Sequence, residues 1–133
     1  MAIILDADVI IRGEKGTFDL RGWLEGQPDE QFEVAAITVA ELWHGVERAT
    51  GAHRDKRRQY LQGLLALLPV IPYTDHTALE HARIWADLEA SGKMIGYYDI
   101  IVAATALERG SQVATFNQKH FTQIQGLAVV EPK

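Results

Sequence analysis

At 133 residues and 14.8 kDa, with 47% apolar and 23% charged side chains, the chain has the balance of one ordinary globular domain, read here as residues 1–133. The absence of cysteine excludes a disulfide scaffold, a thiolate metal site and a cysteine nucleophile, and a formal net charge of −5 argues against a protein that simply coats nucleic acid. No apolar run is long enough to span a bilayer, and the opening Met1-Ala2-Ile3-Ile4-Leu5-Asp6 has no basic region, so neither a membrane span nor a signal peptide is expected and a reducing cytoplasm is the expected setting.

The apolar run Ala2–Leu5, stopped by Asp6, predicts a buried strand. Residues 8–15 and 18–25 read as short helices parted by Gly16, and Gln27-Pro28-Asp29-Glu30 as a loop. A second strand is expected over 33–37. A helix follows from Thr38 to about Ala49 and is broken by Gly51. Residues 53–68 carry Tyr60, Leu61, Leu64, Leu65 and Leu68 at helical spacing, and Pro69 ends that helix. After a short strand at 70–73, residues 75–90 predict a helix with Leu79, Ala82, Trp85, Ala86 and Leu88 on its apolar face. The segment Asp99–Arg109 is apolar all round, the pattern of a helix buried on most sides, with Gly110 placed to end it. A strand at 112–115, a short helix at 118–124 and a last strand at 127–130 complete the chain. This alternation predicts an α/β fold of three layers, helices covering both faces of a mainly parallel sheet of about five strands.

In such sheets, ligands bind beyond the carboxyl ends of the strands, near a switch in strand order. The residues expected there are Asp6, Thr38 with Glu41, and Asn117, with Asp99 opening the buried helix. Singly, each acid has a capping role. Asp6 and Asp99 suit helix starts, and Thr38-x-x-Glu41 is a capping box. Together they place three acids where such a sheet builds its site, two of them beside long apolar segments where a lone carboxylate is costly. A hard dication resolves both the burial and the mutual repulsion, since Mg²⁺ and Mn²⁺ take oxygen ligands and keep several waters.

Elsewhere, Arg48, Arg54, Lys56, Arg57 and Arg58 crowd together; they read as a solvated helix face or as a phosphate-binding patch. Phe18, Leu20, Trp23 and Leu24 with Leu42, Trp43 and Val46 are either plain core or an apolar groove for a partner. The histidines form no ligand pattern; His120 reads as a surface residue, with contact to substrate as the alternative. Neither G-x-G-x-x-G nor a P-loop is present.

The segments Ile4–Ile10, Ile37–Gly45, Asp99–Gly110 and Thr115–Phe121 resemble, in order and spacing, the acidic motifs of PIN domains. Length and spacing are similar to the VapC-type toxins of toxin–antitoxin pairs, and the likeness runs over nearly the whole chain. It implies a ribonuclease dependent on Mg²⁺ or Mn²⁺. Asp6, Glu41 and Asp99 match the family acids by position, and Asn117 falls where many members carry a fourth; Asp6 and Asp99 would bind the metal. RNA is then the substrate, with the basic patch holding flanking phosphates. A VapB-type antitoxin is the inhibitory partner, and toxin chains are expected to form homodimers. A rival reading is an aspartyl phosphatase of the haloacid-dehalogenase type, with Asp6 as nucleophile and Asp8 as acid, although its late paired-acid motif is missing. A second rival is a non-catalytic partner-binding module in which the acids are only caps.

Overall fold

The computed structural model describes residues 2–133. Along the chain run β1 (Ala2–Leu5), α1 (Ala7–Lys15), α2 (Leu20–Glu25), β2 (Gln31–Ala35), α3 (Ala36–Arg48), α4 (Gly51–Leu65), β3 (Val70–Ile71), α5 (Asp75–Ser91), α6 (Tyr97–Arg109), β4 (Gln112–Ala114), α7 (Gln118–Phe121) and β5 (Val129–Val130). The strands form one sheet in the order β3-β2-β1-β4-β5, and every pairing is parallel. The chain steps outward from β1 through β2 to β3, then recrosses the sheet to place β4 on the other side of β1. The switch in strand order therefore lies between β1 and β4, and their carboxyl ends form the crevice where such sheets take ligands.

Period-two alternation builds the layers. From β1, Ile3 and Leu5 join a cluster with Val9, Ile10, Leu20, Leu42, Val46 and Leu61, under α1 to α4. Ile4 faces the other way, into Ile84, Leu88, Ile100, Val102, Val113 and Phe121 under α5 to α7. The all-apolar reading of α6 is borne out: Ile100 and the run 102–106 are buried, and Gly110 ends the helix in the left-handed conformation at φ 65°.

Several boundaries differ from those expected. Strand β2 stops at Ala35, and α3 begins at Ala36 rather than at Thr38, because Ala35-Ala36-Ile37 carries no residue that must interrupt a helix. Thr38 thus sits inside the first turn, fully buried, and its hydroxyl has no hydrogen-bond partner among the described residues. On α5 the buried residues are Thr77, Ile84 and Leu88, whereas Leu79 and Trp85 are exposed; one face of α5 packs along α6 and leaves its other large apolar side chains in water.

Glu33, in the middle of β2, is 1% exposed. Its carboxylate is gripped by two parallel bonds from Arg109 at the end of α6, Nη2 to Oε2 at 2.7 Å and Nε to Oε1 at 3.2 Å. The pair ties the last turn of α6 to the sheet, and a buried carboxylate deprived of its partner is costly. Arg109→Ala is expected to lower unfolding free energy by about 3 kcal/mol, read by urea denaturation; a change below about 1 kcal/mol would show the pair to be idle.

Candidate active site

The site grows from the ends of β1 and β4. Asp6 immediately follows β1 and caps α1: its Oδ1 accepts the Ala7 amide at 2.9 Å. The second oxygen, Oδ2, accepts the hydroxyl of Thr115 at 2.8 Å, reaching across from the residue after β4. That hydroxyl also accepts the Asn117 amide at 2.9 Å, so one side chain aligns the ends of both strands. Asp8, in the first turn of α1, accepts the Phe116 amide at 3.0 Å through Oδ2, while its buried Oδ1 has no partner among the described residues. Phe116 is held in turn by the Arg12 guanidinium 4.2 Å from its ring centroid and by an edge contact with Phe18. The β4–α7 loop is therefore fastened to α1.

Helix α6 runs back along the sheet before β4 begins, so its first turn returns to the same edge. Asp99 lies in that turn, but Gly96 is the cap, and the carboxylate makes no capping bond. It meets His120 Nδ1 at 2.7 Å instead, and the Asn117 side-chain amide lies 2.9 Å from the same ring nitrogen. Glu41 stands in the second turn of α3. The early start of that helix removes the capping box, and Glu41 shares a cavity of about 300 Å³ with Gly96, Tyr97, Tyr98 and Asp99.

The charges act on one another. Burial, then the charge of Asp8 and further that of Asp99, pushes Asp6 up to about 7; the bonds from Thr115 and Ala7 offset this only in part. Glu41 also rises to about 7, by burial and then by the charge of Asp99. Asp8 is raised by burial despite the Phe116 amide and the charge of Arg12. The donor set is hard and anionic and holds an orphaned carboxylate oxygen, so it fits Mg²⁺ or Mn²⁺. Among the described residues no three acidic or imidazole side chains form a ready-made cage. Mg²⁺ seldom needs one, because it binds through one or two carboxylates, waters and substrate phosphate.

Asp6, Glu41, Asp99 and Asn117 thus come to one edge, as the spacing of the sequence led one to expect. What the sequence did not show is the partner of His120. Expected at the surface, the ring is half-exposed yet bound to Asp99. Thr115 also gave no chemical signal beyond closing a strand. The basic patch splits apart. Arg57 is committed to Glu14 at 3.1 Å and to the Gly45 carbonyl at 3.0 Å, and Arg54 to Glu47 at 3.0 Å. Arg48 and Lys56 line a groove of about 730 Å³ that reaches Glu41, while Arg54 and Arg58 lie outside it. Of the expected apolar groove, Leu20, Leu42 and Val46 are buried core, and Trp23 packs on Phe18 and Phe32. The open apolar cleft lies instead between α2 and α4, lined by Leu20, Leu24, Tyr60, Leu64 and Leu67.

A family model described as PIN domain matches residues 3–127. The chain belongs to the PIN-domain family. This PIN domain is 31% identical to Ribonuclease VapC1 of Rickettsia felis over 131 residues, covering 98% of this chain and 96% of that protein. It is 34% identical to VapC ribonuclease Y4jK of Sinorhizobium fredii over 139 residues, again 98% of this chain and 96% of the relative. Among solved structures, that of VapBC2 from Rickettsia felis bound to a DNA fragment from their promoter superposes with a TM-score of 0.92 over 100% of both chains, at 21% identity. The family match is to PIN domains, which sets the phosphatase reading aside, and Asp8 has one oxygen engaged by the Phe116 amide.

The raised carboxyl groups fix a sign. A carboxyl whose folded pKa exceeds its unfolded value holds more protons folded than unfolded in the window between, so it weakens the fold as pH rises through that window. For Asp6 and Glu41 the window runs from about 4 to about 7. In chelator, the metal-free PIN domain is expected to melt about 5–10 °C lower at pH 8 than at pH 5 by calorimetry. Equal or higher stability at pH 8 would refute the raised carboxyls.

Proposed function

We propose that this PIN domain is an endoribonuclease dependent on Mg²⁺ or Mn²⁺, the toxin of a type II toxin–antitoxin pair, acting on structured cellular RNA in the cytoplasm and silenced by a VapB-type antitoxin. The observation that carries the reading is that Asp6 and Glu41, from different elements, both lie within the influence of Asp99, and both are driven up to about 7. Phosphodiester hydrolysis needs a way to bring a nucleophile to an anion. When bound between Asp6 and Asp99, the dication supplies neutralisation of a non-bridging oxygen and acidification of water. Glu41, which shares its cavity with Asp99, would be the base that takes the proton of the attacking water. Thr115 and the Ala7 amide keep Asp6 in one orientation through the reaction. Asn117 brings an amide where a fourth acid would add charge, which weakens any second metal site. Arg48 and Lys56, in the groove leading to Glu41, hold the phosphates that flank the scissile bond.

The antitoxin contributes an amphipathic helix to the cleft between α2 and α4, a standard mode for such a groove. Homodimerisation belongs to the same proposal; the exposed Leu79, Trp85 and Tyr97 are the apolar face a second copy would cover.

Asp6→Asn keeps the cap but removes the charge. It should lower cleavage of RNA at least about 100-fold and weaken Mn²⁺ binding in isothermal titration, while raising the metal-free melting point at pH 8. Undiminished Mn²⁺ affinity would remove Asp6 from the metal site. Leu67 is 79% exposed, so Leu67→Glu should spare the fold and RNA cleavage by the free toxin. It should reduce antitoxin affinity at least about tenfold in a binding titration; full affinity would place the antitoxin elsewhere.

A further inference from the structure

His120 is the third residue of the four-residue α7, and the last, Phe121, is fully buried. The ring is thereby carried on an anchored element, and its Nδ1 lies 2.7 Å from Asp99 Oδ2. Asp99 makes no other bond among the described residues. At the third position of α6 an acidic side chain has a competing option, to fold back and accept the backbone amide of the capping residue, here Gly96. The close approach is real: a Cβ placed on Gly96 would lie 3.8 Å from Asp99 Oδ2. The oxygen that lies near the cap is the one that His120 takes, so the ring, and not the Gly96 amide, sets the orientation of this carboxylate, and Asp99 lines the cavity shared with Glu41. The Asn117 side-chain amide nitrogen lies 2.9 Å from the same ring nitrogen, so that Asn117 packs against the ring at this point.

We propose that His120, braced by Asn117, is a positioning residue that fixes the Asp99 carboxylate in its metal-binding orientation without itself touching the ion. The proposal rests on the metal-dependent reading of the site. Groups standing behind a metal ligand typically govern ten- to a hundredfold in metal affinity.

The test is Mn²⁺ binding to the full-length chain by isothermal titration, for wild type, His120→Ala and His120→Asn. The Asn side chain sets an amide N–H close to where Nδ1–H stands, so it restores the donor without the ring. The expected result is a ten- to a hundredfold loss of affinity in His120→Ala and a loss below about threefold in His120→Asn. The cleavage deficit of His120→Ala should disappear at saturating Mn²⁺, because the defect lies in holding the ion. Circular dichroism of the metal-free variants should match wild type, as the side chain is half-exposed. Unchanged affinity in His120→Ala overturns the proposal and leaves the metallonuclease reading standing. A ¹⁴N coupling in the electron-spin-echo spectrum of the wild-type Mn²⁺ complex, with equal losses in both variants, also overturns it, by making the ring a direct ligand. Absence of Mn²⁺ binding to wild type overturns the metal-dependent reading itself, and the proposal with it.

Discussion

Asp6 is held from both sides. One carboxylate oxygen receives the first amide of α1 and the other the hydroxyl of Thr115. Those two bonds are the hinge of the site, because they fix an anion where burial and two neighbouring acids oppose it. Neither donor is charged, so the repulsion is contained rather than cancelled. A guanidinium at the same place would have stabilised the fold and closed the pocket to cations. The contrast with Glu33 is instructive. That carboxylate is more deeply buried, yet two parallel bonds from Arg109 satisfy it, and it is purely structural. Whether a buried acid fastens the fold or awaits a ligand depends on the charge of what faces it.

The same economy extends outward. Asp8 spends one oxygen on the Phe116 amide and so fastens the loop after β4 to α1. Arg12 and Phe18 clamp the Phe116 ring from other directions. That loop leads through Asn117 to His120 on α7, whose ring meets Asp99 on α6, in the layer opposite α1. Three separate stretches of chain thus agree on one spot, and sheet topology brings them there without any direct link in sequence.

Much of this was legible from the residues. The period-two and period-3.6 patterns placed the strands and helices within a few positions, since each buried face must be apolar at that period. The four motifs marked Asp6, Glu41, Asp99 and Asn117, because a strand end or helix start is a position that local chemistry announces. The failures have equally local causes. Thr38 and Glu41 matched a capping box, but nothing in Ala35-Ala36-Ile37 stopped the helix from starting early. His120 looked like a surface residue because its partner, Asp99, lies 21 positions away and only the return of α6 unites them. The cationic run read as one patch, yet Glu14 and Glu47 neutralise two of its members, and those ion pairs are tertiary. Leu79 and Trp85 obeyed helical spacing but faced water, since periodicity finds a stripe and not what covers it.

The clasp between Asp6 and Thr115 joins residues 109 positions apart, and that between Asp8 and Phe116 joins residues 108 apart. Contacts so distant along the chain close late in folding, after the loop entropy between them has been overcome. A nascent polypeptide emerging from its ribosome presents the first acids early but lacks the strand that orients them. The oriented acids therefore exist only once β4 has been made and paired with β1, so no shorter N-terminal piece of the chain carries a finished pocket.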